Sequence, residues 1–295
     1  MSTLQLEFMM FCIYFCVEKL NAMKRPLLIL LLSVLLSGLV QAQNFYARLG
    51  VGVGPGISSN LDMLYSYTNN GSGTMVTVVP LTLGRGFTGV AAFGYSPSKY
   101  IGFELGISQF VGFPNIADSV LKLPGGSSAN VHVTGNMLSL APAIVISPGF
   151  DDFNPYARIG FILGIRPTVN ATAETNNASV YPTIESEAIR HYYGGVAAGL
   201  NAALGVSWTL NRTIALYAEC NFSSINYSPK YSEIIYYEKN GVDQLPELTI
   251  KETKTEYYSN IHPDEVIPDT SPDKELRKSL PFSNASIAFG IVFKF

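Results

Sequence analysis

The sequence predicts an all-β protein, an eight-stranded antiparallel up-and-down β-barrel that spans a membrane. Three observations carry this. Successive segments alternate apolar and polar residues with a period of two. The connections between segments are alternately short and long. The polar faces hold arginines and glutamates among glycines, while the apolar faces hold large aliphatic and phenylalanine side chains. Composition agrees, because only 14% of the 295 residues are charged while 17 tyrosines, 17 phenylalanines and 26 glycines suit close-packed strands. A net charge of −3 offers no basic face to displace phosphate counterions, so nucleic acid is not an expected partner.

The first 42 residues read as processing sequence rather than fold. Residues 1–22 carry an apolar stretch from Phe8 to Val17, but Glu7 and Glu18 bound it too tightly for a membrane helix. This segment is expected to be a mis-assigned upstream start, with Met23 the true one. Residues 23–42 then form a signal peptide: Lys24 and Arg25 make a positive n-region, an apolar core runs over 27–36, and Val40, Gln41 and Ala42 precede cleavage before Gln43. The barrel is expected over residues 43–295. Cys12 and Cys16 leave with the leader, so Cys220 stands alone and no disulfide is expected. Cys220 lies in an alternating segment, which favours a structural thiol over a reactive one.

The strands follow in order. In "FYARLGVGVG" (45–54), Phe45, Ala47, Leu49, Val51 and Val53 share one face, and Tyr46, Arg48, Gly50, Gly52 and Gly54 the other. The segment 87–95 is a strand whose facing is ambiguous. In the third, Ile101, Phe103, Leu105 and Ile107 oppose Gly102, Glu104, Gly106 and Ser108. The fourth spans 131–146, where a bulge near Gly135 is expected to shift the phase. The fifth opens with "PYARIGFILG" (155–164), close to a copy of the first, and sets Ala157, Ile159, Phe161, Leu163 and Ile165 against Arg158, Gly160, Gly164 and Arg166. The sixth sets Leu200, Leu204 and Trp208 against Gly199, Asn201 and Gly205; the seventh sets Leu216, Cys220 and Phe222 against Tyr217, Glu219 and Asn221. The last sets Ile287, Phe289, Ile291, Phe293 and Phe295 against Ala288, Gly290, Val292 and Lys294.

The connections at 96–99, 147–154 and 211–213 are short and rich in Pro, Gly, Asn and Asp, the residues of tight turns. Those near 58–84, 115–129, 170–190 and 228–280 are long and polar. The last contains Asn240-Gly241, a hairpin turn signal, followed by "HPDEVIPDTSPDKELRK", which reads as flexible. Alternation of the two kinds puts short periplasmic turns at one end and long extracellular loops at the other.

An arginine facing lipid costs about 2–4 kcal/mol at the bilayer midplane, so the charged faces must point inward. Eight strands leave a lumen just wide enough to be filled by side chains. Arg48, Glu104, Arg158 and Glu219 are therefore expected to form a lumenal ion-pair network. Aromatic belts are expected from Phe45, Tyr46, Tyr95, Tyr100, Tyr156, Trp208 and Phe295 at the short-turn end, and from Phe87, Phe110, Phe113, Tyr192 and Tyr193 at the other.

The signal peptide, the "YARLGVGVG" opening strand and the closing "SIAFGIVFKF" together resemble the small outer-membrane β-barrel proteins (OmpA/OmpX-like, porin family) of Gram-negative bacteria. The resemblance implies residence in the bacterial outer membrane with the long loops facing the exterior. It implies outer-membrane lipid as surroundings, and recognition of the terminal Phe293 and Phe295 by the barrel-assembly machinery during biogenesis. It carries no catalytic residues.

No enzyme is expected, and neither a cofactor nor a metal. The three histidines show no HxxxH or HExxH spacing and no CxxC is present. The nearest approach to chemistry is His132 or His191 with Ser139, Thr134 and Glu187, a combination that could cleave a lipid ester if the fold assembled it. "GVGVGPG" lacks the lysine and helix of a phosphate loop. The expected role is structural or surface-interacting, with a ligand for the long loops. The alternatives are a narrow passive pore and a lipid-modifying outer-membrane enzyme.

Overall fold

The computed structural model describes residues 44–57, 59–69, 74–116, 121–122, 128–177, 184–262 and 266–295. The proposed upstream start and signal peptide lie outside the described residues, as do parts of the long connections. Eight barrel strands are β1 (Phe45–Gly54), β2 (Gly86–Tyr95), β3 (Ile101–Gly112), β4 (Ser128–Ile146), β5 (Phe153–Asn177), β6 (Val196–Thr209), β7 (Ile214–Ser228) and β8 (Asn284–Lys294). Each is hydrogen-bonded to its neighbours in chain order, and β8 pairs antiparallel with β1 from Tyr46↔Lys294 to Val53↔Ile287. That last pairing closes the barrel and abolishes its free edges.

Alternation decides which side chain faces where. Phe161 and Leu204 are each 65% exposed, while Arg48 and Glu219 are each only 3% exposed. The barrel is thus built inside out relative to a water-soluble one: its aliphatic surface points outward on every strand. Water would be a poor solvent for such a surface and hydrocarbon a good one. Along β2, Phe87, Ala91, Phe93 and Tyr95 face outward, which settles the strand left ambiguous by sequence. Leu204→Arg, near mid-strand on β6, is expected to lower folding stability in lipid vesicles by about 2–4 kcal/mol, read from urea unfolding. A loss within the roughly 0.5 kcal/mol typical of a water-facing surface position would overturn the inside-out assignment.

The short connections are tight turns. Ser98 Oγ accepts from the Tyr100 and Ile101 N–H groups at 3.3 and 3.2 Å, and Asn211 Oδ1 accepts from those of Thr213 and Ile214 at 2.9 and 2.8 Å. Tyr95, Tyr100, Phe150, Phe153 and Trp208 are exposed near these turns and form the belt at that end. Four residues expected in the belts are not there: Tyr46 and Tyr156 reach into the lumen, and Phe110 and Tyr192 are buried. Lys294, expected among the inward residues, is exposed at the barrel end, where its Nζ donates to Thr209 Oγ1 at 3.1 Å.

At the opposite end the wall continues as strand where sequence predicted loop. The strand Ile184–Tyr193 pairs with the far half of β5 and with Tyr231–Lys239, which pairs in turn with Lys254–Tyr258. Asp273–Leu276, inside the stretch expected to be flexible, adds a parallel strand at the edge. Asn240 and Gly241 take φ of 52° and 77° and make the anticipated hairpin turn between Lys239 and Val242. A one-turn helix, Ile250–Thr253, starts from a capping box in which Thr249 and Glu252 bond each other reciprocally.

Barrel and extension meet at a row of bends. Arg166 takes φ of 53° before Pro167 on β5; Gly194 and Gly195 take 71° and 75° before β6; Pro229 and Lys230 follow β7. Each bend switches the inward phase of its strand. Ile162 and Val169 are both buried on β5, Tyr192 and Ala197 across the glycine pair, and Tyr227 and Ser232 across Pro229. Because all three strands switch together, their mutual register holds: Tyr193↔Tyr231 and Val196↔Ser228 lie on either side of the bend. β4 keeps one phase from Ala129 to Ala143, so the bulge expected near Gly135 lies instead on its partner. There Asn136 pairs with Thr168 but Leu138 with Ile165. The same bulge turns Arg166 out of the lumen, where sequence had put it, and leaves it exposed.

Candidate functional site

The lumen near the short turns is filled by one charged layer. Its members come from alternate strands with alternating sign: Arg48 on β1, Glu104 on β3, Arg158 on β5 and Glu219 on β7. The strands between contribute small residues. Glu104 is flanked by Gly94 and Ala143, Glu219 by Gly205 and Ala288, and Arg158 has Ala203 on one side. Long side chains opposite small ones is how eight strands fit four ionic groups at the axis.

Arg48 grips Glu104 bidentately, Nη2–Oε1 at 2.7 Å and Nε–Oε2 at 3.1 Å, and reaches Glu219 Oε1 at 3.0 Å with Nη1. Arg158 Nη2 donates to Glu219 Oε1 and to Asn221 Oδ1, each at 2.8 Å, while its Nη1 stands 3.6 Å from Glu104 Oε1. The Tyr156 hydroxyl donates to Glu219 Oε2 at 2.9 Å and that of Tyr46 to Glu104 Oε2 at 3.3 Å. Asn221 Nδ2 donates to Glu219 Oε1 at 2.8 Å. The Arg48 guanidinium also lies over the Tyr217 ring, 5.0 Å from its centroid. Every ionic side chain of the layer is at most 6% exposed, and the charges sum to zero. Desolvation on this scale is tolerable only because each carboxylate has several donors.

The sequence reading named these four charged residues and missed Tyr46, Tyr156, Tyr217 and Asn221. The repeated "YAR" carried the signal. Residues two apart on a strand share a face, so each tyrosine must accompany its arginine inward. The lumenal glycines make room chiefly for these rings. A Cβ at Gly50 would stand 1.8 Å from the Tyr217 hydroxyl, and one at Gly94 2.1 Å from the Tyr46 ring.

Deeper in the lumen lies a cavity of about 70 Å3, lined by Ser108, Ser139, Asn201, Ser223, Asn284 and Ser286. Ser108 and Ser139 share a hydroxyl hydrogen bond of 2.6 Å. Arg158 borders this cavity, and its buried Nε has no hydrogen-bond partner among the described residues. Phe282 seals the far side. Its N–H donates to the Ile225 carbonyl at 2.9 Å, and its ring meets those of Phe110 and Tyr227 edge-on at 6.1 and 6.0 Å.

The hydroxyl–histidine arrangement weighed in the sequence does not come together. Ser139 points into the lumen, whereas His132 lies on the opposite face of β4. His191 Nδ1 bonds Asn170 Oδ1 at 2.5 Å and its ring stacks on Tyr193. Glu187 sits between Glu174 and Glu238 on adjacent strands. Among the described residues no group of His, Cys, Asp and Glu could hold a metal ion. Cys220 is exposed on the outward face of β7.

An Arg48→Ala and Glu104→Ala double-mutant cycle is expected to show a coupling of about 0.5–3 kcal/mol in unfolding free energy. Additive losses would mean that the two groups stabilise the barrel independently.

No protein-family profile and no curated protein matches the sequence. Among solved structures the chain is similar to Neisserial surface protein A, at 12% identity and a TM-score of 0.33, covering 85% of this chain and 97% of that one. It is also similar to Ail, the attachment invasion locus protein of Yersinia pestis, at 9% identity and a TM-score of 0.30, covering 85% and 99%. A major outer membrane protein from Thermus thermophilus matches at 11% identity and a TM-score of 0.29, covering 83% and 98%. At these scores the barrel assignment rests on the chain's own strand pairing.

Proposed function

We propose that this protein is an integral barrel of the bacterial outer membrane with a structural or surface-interaction role and a lumen that does not conduct. The observation that carries the reading is the neutral layer of Arg48, Glu104, Arg158 and Glu219 across an inside-out barrel, each member buried and bonded to its neighbours. A solute would have to break several charge-assisted hydrogen bonds to pass, and wide conductance needs roughly sixteen strands. The extension built on Ile184–Tyr193 and Tyr231–Lys239 is the surface offered to an extracellular ligand, with the long connections on the cell exterior. Phe293 and Phe295, at the end of the closing strand, serve as the signal read by the assembly machinery. Membrane fractionation and heat-dependent gel mobility test the location. Single-channel recording tests the lumen: the expected trace is silent, and stable openings of porin size would favour the narrow-pore alternative and overturn the reading.

A further inference from the structure

The row of bends has an outer side as well as an inner one. As β6 and β7 pass through Gly194-Gly195 and Pro229-Lys230, the extension leans over the outward wall and encloses a groove of about 850 Å3. Its floor is Val196 and Ala198, outward residues at the top of β6, with Val196 66% exposed. Its upper rim carries Lys230 and Arg277. Both cations are exposed, and neither forms an ion pair among the described residues. The backbone fixes both positions. Lys230 N–H donates to the Tyr193 carbonyl at 3.3 Å, its own carbonyl accepts from Tyr257 N–H at 3.0 Å, and Arg277 N–H donates to the Tyr258 carbonyl at 2.8 Å. The one carboxylate in the groove, Glu256, accepts from the Tyr258 hydroxyl.

We infer that this groove binds the phosphorylated sugar headgroup of an anionic glycolipid whose acyl chains lie against the barrel wall. The inference rests on the membrane-spanning reading above and extends it to a specific lipid class. Three features select the occupant. Two rim cations against one engaged carboxylate leave net positive charge, which suits phosphate; the Arg277 guanidinium offers paired donors for its oxygens. The apolar floor is continuous with outward Leu200, so an occupant with hydrocarbon chains gains contact that free phosphate does not. Asn226, Ser228 and Asn260 supply amides and hydroxyls, and Tyr258 presents a ring that is 40% exposed, groups that match a sugar better than a glycerol headgroup. The depth fits as well, since cationic and tyrosine side chains collect where hydrocarbon gives way to headgroups.

The test is native mass spectrometry of the folded full chain released from detergent micelles, with monophosphoryl lipid A, phosphatidylglycerol, phosphatidylcholine or inorganic phosphate added in parallel. The expected result is a lipid A adduct whose occupancy falls about tenfold or more in the Lys230→Glu, Arg277→Glu double variant. Equal occupancy in that variant, equal binding of phosphatidylglycerol, or adduct formation by inorganic phosphate alone would each overturn the proposal. Both substitutions are at exposed positions, so heat-dependent gel mobility should be unchanged and separates loss of the groove from loss of the barrel. A wild-type chain with no heat-dependent shift would overturn the membrane-spanning reading together with this one.

Discussion

Glu219→Ala is expected to cost about 3–5 kcal/mol of folding stability in lipid vesicles, the range for breaking a buried ion pair from one side. Glu219 accepts from Arg48, Arg158, Tyr156 and Asn221, so its removal strands two guanidinium groups and leaves the layer with a net charge of +1 where it had been zero. The loss arises from unpaired buried charge rather than missing volume. A companion variant separates these causes. In Arg158→Leu, Glu219→Leu the surviving Arg48 and Glu104 still form their bidentate pair and the layer is neutral again. Apolar replacement of a whole buried pair is often neutral or stabilising, so the double variant should unfold at higher urea than Glu219→Ala alone. The reverse order of midpoints would mean that packing, not charge balance, governs the layer.

Phe282→Ala is expected to cost a similar amount, about 3–5 kcal/mol, by the transfer and cavity terms of a buried phenylalanine. Phe282 is 2% exposed and stands between Phe110 and Tyr227 at the inner edge of the lumen. The segment around it is tied to the barrel on both sides: Leu83 N–H donates to the Pro281 carbonyl at 3.2 Å and Ile57 N–H to that of Ser283 at 2.9 Å. Truncation should therefore enlarge the cavity without releasing the segment. Recordings of this variant should remain silent, because the charged layer lies between that cavity and the short-turn end. Channel openings in Phe282→Ala would show that the aromatic seal alone had closed the lumen.

The barrel was legible because one physical rule, period-two alternation with charge inward, repeats on strand after strand. Arg48 and Glu104 could be placed together from sequence for the same reason: each interrupts a run of small residues on a face whose opposite side is wholly apolar. The tyrosines of the layer were misplaced because an aromatic near a strand end satisfies two rules at once. Tyr46 meets the expectation for an interfacial ring and also the parity of Arg48, and parity decided. The extension was unreadable for a different reason. Past Arg166-Pro167 the inward residues of β5 become Val169, Ala171 and Ala173, with Asn170, Thr172 and Glu174 between them. Across the phase switch that pattern looks like a polar loop. The switch itself was written only as Arg-Pro, Gly-Gly and Ser-Pro, which also mark ordinary turns.

Matched bends on three neighbouring strands make the part beyond them a detachable cassette. The joint requires of any replacement a fixed number of crossing strands, a common register and a single parity inversion on each. A transplanted ectodomain honouring those terms would seat on the same eight-stranded stump whatever its own sequence. One that omitted the inversion on even one strand would present that strand's greasy side to water.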